Sequence, residues 1–209
     1  MFRRNKSQTG FTIVELSIAS SAFAVLLLVG LVAFVQTGRS YYKGVTISQT
    51  RTISTNILNE ISGNIRLSSS VSGLNTATAN RYYYCIGTHR YTFQLFNMVD
   101  TSNHDNSTKF GLLEDTLPGS GGCGNPFDAP VVPLSNPTEL LANQMRLLSF
   151  SITLIAGHAN LYDLSLKVAD GVDNSLTATD SPDAQCKTGG GGTQFCAITN
   201  LNTVIYEGI

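Results

Sequence analysis

The sequence predicts an α+β fold, with one long N-terminal α-helix followed by, and packed on, an antiparallel β-sheet. Three observations predict it. Residues 11–35 form a 25-residue apolar run, and beyond it Ile53, Ile57, Ile61 and Ile65 recur every four residues with Leu58 beside them, as one face of a helix does. After residue 66 that period gives way to short segments rich in aromatic and β-branched residues. Gly, Pro, Asn and Asp punctuate those segments at intervals that suit turns.

Size and composition set the frame. The chain has 209 residues, enough for one ordinary domain and an appendage. With 13% charged and 42% hydrophobic residues it is neither a disordered acidic tail nor a polybasic chain. Arg3, Arg4 and Lys6 precede residue 11, so removing these three charges from the net of −1 leaves −4 for residues 11–209. A weakly acidic body lacks the clustered cations that phosphate-backbone binding needs, and no nucleic-acid partner is expected.

The helix comes first. At about 1.5 Å per residue, residues 11–35 reach roughly 37 Å, longer than a hydrocarbon core of about 30 Å. The run can therefore span a membrane with some tilt. Its basic flank lies on the N-terminal side, which puts residues 1–10 in the cytoplasm and the rest outside. Ala22-Phe23-Ala24 has the look of a secretory cleavage site, but the most apolar stretch, 25–35, follows it instead of preceding it. Glu15 is the one acid in the run. A carboxylate at a bilayer centre costs roughly 2.5–3.5 kcal/mol on insertion scales, which makes it a functional candidate, the alternative being a near-interface acid tolerated by snorkelling and thinning. No Lys, Arg or His lies within the run to pair with it. An α-amino group created by a cut just upstream could do so. Gly30, Gly38 and Gly44 each weaken the helix by about 1 kcal/mol against Ala, and helical patterning extends over residues 11–66.

Thr9-Gly10-Phe11-Thr12-Ile13-Val14-Glu15-Leu16, behind a short basic leader and ahead of the apolar run, resembles the class III signal peptide of type IV pilins and type II secretion pseudopilins. The resemblance implies cleavage between Gly10 and Phe11 by a prepilin peptidase and N-methylation of Phe11. It also implies pairing of Glu15 with the terminal amine of a neighbouring subunit. It further implies a pilin-like lollipop fold, other pilin subunits and an inner-membrane assembly platform as partners, and no catalytic activity of the chain's own. Residues 1–10 would be the leader, 11–35 the transmembrane and filament-core half of the helix, and 36–66 its amphipathic half. Residues 67–209 would be an extracytoplasmic β-rich globular head. Before assembly the chain would sit in the cytoplasmic membrane, and afterwards in an extracellular or periplasmic filament.

The β-segments follow in order. Residues 68–80 read as a loop. Residues 81–86 and 90–96 read as a hairpin around Gly87-Thr88-His89. Residues 101–108 are a polar loop, 110–113 a short strand, and 117–137 a Gly/Pro-rich irregular segment. Residues 145–155 and 162–168 alternate as two antiparallel strands joined through 157–160, and 195–200 with 203–207 close the sheet or form a terminal flap. A long first helix ending near Asn64-Ile65-Arg66 and a late strand pair resemble the minor pilins and pseudopilins of the PilW/PulJ type.

Chemical sites are few. Cys85, Cys123, Cys186 and Cys196 form no Cys-x-x-Cys pair, so zinc and thioredoxin-like chemistry are unsupported. Outside the cell four cysteines allow three disulfide pairings. The expected one is Cys186–Cys196, closing a Gly-rich loop, with Cys85–Cys123 stapling the Gly/Pro segment to the hairpin. His89, His104 and His158 fall in turns or loops without a nucleophile motif, so solvated histidines are expected. Asp170, Asp173, Asp180 and Asp183, with Asn174, crowd one loop. They could offer oxygen ligands to Ca²⁺, as in some pseudopilins, but match no EF-hand spacing, and solvated acids are the expectation. Residues 189–192 lack the Lys-Ser/Thr of a phosphate loop. Tyr82, Tyr83 and Tyr84 suit a strand with one face in the core better than a stacking platform for nucleic acid. No cofactor is expected.

Overall fold

The computed structural model describes residues 10–68, 70–74, 80–100, 109–117, 123–127, 133–189 and 192–208. Residues 1–9 of the basic leader, the loop at 101–108 with His104, Gly190 and Gly191, and parts of the expected loops at 68–80 and 117–137 lie outside the described residues. The chain divides into two compact units, Met1–Tyr41 and Tyr42–Ile209.

One helix, α1 (Ile13–Leu67), contributes to both units. It continues through Gly30, Gly38 and Gly44, each an isolated glycine whose cost of about 1 kcal/mol a long helix absorbs, and nothing among the described residues crowds these positions. Arg66 places a cation in the last turn, where it favours the carbonyl end of the helix dipole. Ser68 then closes the helix, its amide and hydroxyl both donating to the Ile65 carbonyl at 3.3 and 3.1 Å.

The second unit holds two antiparallel sheets. The first contains β1 (Val71–Leu74), β2 (Arg81–Ile86), β3 (His89–Gln94), β4 (Leu112–Thr116) and β5 (Thr138–Glu139) in that spatial order. The second contains β6 (Met145–Leu154), β7 (Leu161–Asp170) and β8 (Ala197–Tyr206), again in sequence order. Single bridges, Leu95 with Leu147 and Met98 with Arg146, connect the sheets where β3 ends. Phe96 takes a left-handed φ of 65° there and breaks the strand.

The stripe on α1 is buried as its period implies. Ile57, Ile61 and Ile65 are enclosed with Ile86, Tyr91, Phe93, Leu112, Leu147, Leu164, Leu166, Val168 and Ile205 in one core. Each such aliphatic side chain contributes about 1.5–3 kcal/mol on leaving water. Phe93 anchors an aromatic cluster, stacked on Tyr82 and Tyr84 and edge-on to Phe150 at 4.9 Å. Tyr83 points to the other side of the sheet, where it is buried with Cys85 and Leu117. Both faces of β2 are thus covered, not one.

The Gly/Pro-rich segment is tied to that second face. Cys85 is disulfide-bonded to Cys123. Arg90 and Asp115, opposite one another on β3 and β4, form a two-pronged ion pair at 2.9 and 2.6 Å with both side chains fully buried. Arg90 also donates to the carbonyls of Gly124 and Pro133, and the Ser135 amide donates to Asp115. A buried pair this well satisfied is costly to break by removing one partner.

Four expectations need correction. The segment expected as a loop at 68–80 contains β1, whose Gly73 lies against the Tyr84 ring so closely that a Cβ would come within 2.5 Å of it. A side chain there would have to displace that ring, and the Ser, Thr, Asn and Gly composition of the segment is what made it read as a loop. The short strand expected at 110–113 lies at Leu112–Thr116, and the two-residue β5 interrupts the irregular stretch before β6. The terminal segments at 195–200 and 203–207 are one ten-residue strand, β8. Its interrupting Asn200 and Asn202 pair with Lys167 and Ser165 and are exposed, so their side chains need no burial. Finally, the expected single sheet is two sheets.

Candidate assembly site at the start of the N-terminal helix

The sequence Thr12-Ile13-Val14-Glu15 sets the local geometry. Thr12 immediately precedes the first helical residue, and Glu15 is the third residue inside. The Thr12 hydroxyl accepts from the Glu15 amide at 3.2 Å, while Glu15 Oε2 accepts from the Thr12 amide at 3.0 Å and from its hydroxyl at 2.9 Å. This reciprocal arrangement is a capping box, in which two otherwise unpaired helix-start donors are satisfied. All three bonds use one carboxylate oxygen or the hydroxyl. Oε1 of Glu15 accepts nothing among the described residues.

Gly10 and Phe11 lie just outside the helix. Nothing in the structure would meet a Cβ at Gly10, and Phe11 is 85% exposed. Both residues flanking that peptide bond are exposed among the described residues.

The rest of the first unit is apolar and uncovered. No part of its most apolar window is buried, and α1 is long and apolar enough to cross a membrane. Ile13, Leu16, Phe23, Leu26, Leu28, Leu31 and Phe34 are each at least 60% exposed. The hydroxyls in this stretch turn inward. Ser17, Ser20, Ser21 and Thr37 all donate to helix carbonyls three or four residues back, at 2.8–3.0 Å. A hydroxyl satisfied within its own helix is tolerated in hydrocarbon, where it has no water to turn to.

The remaining candidate residues lie in the second unit and are not gathered. Cys186 is bonded to Cys196, closing a loop ten residues apart in sequence. Asp170 accepts from the Thr50 hydroxyl of α1 at 3.2 Å, and burial raises its pKa above the ordinary aspartate value. Asp173 instead accepts from Arg146 at 2.5 Å, and Asp180 and Asp183 are exposed. Among the described residues no three His, Cys, Asp or Glu side chains come together to hold a metal ion. His89 shares a 2.6 Å hydrogen bond with Glu114 across β3 and β4, and His158 is exposed in the turn after β6.

The role of Thr12 was missed from the sequence, although its signal, Thr-x-x-Glu ahead of an apolar run, is visible there. The Arg90–Asp115 pair was missed for a different reason. Residues separated by 25 positions become neighbours only through strand register. No family model matches this chain, no curated protein matches it, and no solved structure matches it.

Proposed function

We propose that this chain is a prepilin, most like a minor pilin, that assembles into, primes or caps a type IV pilus through its N-terminal helix. The observation that carries this reading is the uncovered apolar helix, opened by an accessible Gly10–Phe11 bond and carrying one acid with a free oxygen. An apolar surface of this extent needs lipid or other protein around it, and a prepilin's helix finds both in turn. It anchors the chain in the cytoplasmic membrane first and packs among equivalent helices afterwards.

The proposed chemistry is sequential. A prepilin peptidase cuts after Gly10 and the Phe11 amine is N-methylated. That amine lies one residue before the cap, at the positive end of the helix dipole, where a cation is unfavourable. Pairing it with Glu15 of a neighbouring subunit offsets that penalty, and water exclusion strengthens the pair. Glu15 can accept through Oε1 while Oε2 keeps the cap. Outside a filament the carboxylate has only its cap to satisfy it, so the pair rewards assembly in one register. The same reading covers a pseudopilin of a type II secretion system, because the helix chemistry is shared.

A second reading, an unprocessed membrane-anchored adhesin or receptor, is favoured by one observation. Thr12 already gives Glu15 a purely local reason to be where it is. Two variants separate the readings. Glu15→Ala abolishes incorporation into sheared filaments if the chain is a prepilin, and Gly10→Asp leaves the uncut precursor in the membrane. An anchored receptor with wild-type surface display of both variants contradicts the proposal.

A further inference from the structure

The two disulfides have different surroundings. Cys186 and Cys196 form part of the wall of a cavity of about 370 Å³, together with Lys43 and Ile47 of α1, Lys167 of β7 and Ile198 of β8. That volume is within the range of small-molecule sites, about 300–1,000 Å³. Cys196 is 1% exposed, whereas Cys186 is half-buried, so a reagent in the cavity approaches Cys186.

Every charged residue on this wall is a lysine. The Lys167 ammonium donates to the Pro182 carbonyl, which leaves its charge uncancelled, and neither lysine is in an ion pair among the described residues. The local sign is opposite to the net negative charge of residues 11–209. Thiol–disulfide exchange runs through thiolates, and nearby cations favour both an incoming anion and a departing thiolate. Cys85, by contrast, is packed with Tyr83 and Leu117, and Arg90 opposite it on β3 is already neutralised by Asp115.

The Cys186–Cys196 link also secures a contact. Cys196 directly follows the 3₁₀ turn Thr193–Phe195. In that turn the Phe195 ring lies 5.8 Å from the Tyr42 ring, and the Gln194 carbonyl accepts from the Thr46 hydroxyl at 3.5 Å.

We propose that Cys186–Cys196 is a thiol-exchange site, opened by small anionic thiols, and that it latches the Thr193–Phe195 turn onto α1. The incoming thiolate bonds to Cys186 Sγ as the Cys186–Cys196 bond breaks, and Cys196 departs as a thiolate that takes a proton from water. A second thiolate bonds to the first thiol's sulfur and releases Cys186. The protein disulfide is thereby reduced, and the two thiols are oxidised to a disulfide of their own. The site is built from the second unit and does not rest on the prepilin reading.

The test uses the full chain in detergent micelles and three thiols of similar size: anionic 2-mercaptoethanesulfonate, neutral 2-mercaptoethanol and cationic cysteamine. Each rate is scaled to the same thiol's rate on neutral hydroxyethyl disulfide, and alkylation with peptide mass spectrometry reports each protein disulfide separately. At Cys186–Cys196 the anionic thiol is fastest and the cationic one slowest, about fivefold or more apart. Lys43→Met and Lys167→Met each narrow that spread, and the double variant abolishes it. Neither lysine is buried, so the fold is kept, which the unfolding temperature checks. Amide exchange at Thr193–Phe195 rises once the link is open. A spread that is absent, unchanged in the double variant, or equal at Cys85–Cys123 overturns the exchange site. Unchanged amide exchange after opening overturns the latch.

Discussion

Glu15 has two jobs in this account, and they are separable because they use different atoms. Capping uses Oε2 with the Thr12 amide and hydroxyl. Intersubunit pairing would use the free Oε1. Thr12→Ala therefore weakens the helix start by about 1 kcal/mol yet leaves filament incorporation close to wild type. Glu15→Ala removes both functions and blocks incorporation. Amide exchange of the first turn together with the yield of sheared filaments checks the pair, and equal loss in both variants would mean that the cap alone matters.

Glu60 is a second residue with a readable consequence. It projects from α1 toward Tyr91, whose hydroxyl reaches it at 3.5 Å and also accepts from Asn64 at 2.6 Å. Burial, and then the charge of Glu114, push the Glu60 carboxyl above its ordinary pKa, against the smaller opposing effects of Tyr91 and His89. A carboxyl raised in the folded state holds its proton more tightly than in the unfolded chain. Its destabilising contribution is therefore present above the folded pKa and disappears below the unfolded one. The second unit gains stability from this group as pH falls through its raised folded-state pKa toward the ordinary glutamate value. Glu60→Gln raises stability at neutral pH and flattens that part of the profile, with the remainder left to Asp170, which is raised as well. Urea midpoints across that range measure it, and an unchanged slope in the variant would refute the assignment.

At the level of elements, what was legible depended on whether the signal was local. The α1 stripe was legible because Ile57, Ile61 and Ile65 repeat at a helical spacing and all three are buried. The β2–β3 hairpin and the β6–β7 pair were legible from alternation between turns. β1 was not, because Gly73 serves a close approach to Tyr84 and gives no strand signal. The unity of β8 was hidden by two asparagines whose side chains lie on the exposed side. The loop cysteines fell within reach of few partners, and the structure joins Cys85 to Cys123 and Cys186 to Cys196. Loop-closure entropy assigns these links about 4 and about 3 kcal/mol respectively.

The β3–β4 pairing supplies the sharpest element-scale prediction. Asp115→Ala leaves the Arg90 guanidinium buried without its counter-charge, and costs about 3–5 kcal/mol. Replacing both partners by apolar residues, Arg90→Met with Asp115→Leu, restores part of that loss, because no charge is then left buried although the Gly124 and Pro133 carbonyls and the Ser135 amide lose their partners. Chemical denaturation of the two proteins compares them directly. A single variant as stable as wild type would show that the pair contributes nothing.

For the whole molecule, the two units divide the labour. The described residues of 42–209 bury a core of their own, close it with strands and disulfides, and pair the buried Arg90 with Asp115. Residues 10–41 bury nothing and satisfy their hydroxyls internally, so their apolar surface is left for a surrounding of other origin. Charge and composition argue against a nucleic-acid role, but only the short stretch from Gly10 to Glu15 points to a particular fate for the chain. The decisive measurement is mass spectrometry of the N-terminal peptide from native membranes and from sheared filaments. The account predicts a chain beginning at N-methylated Phe11, present in the filament fraction. A chain that retains Met1 and stays in the membrane would leave Glu15 without its proposed partner and contradict it.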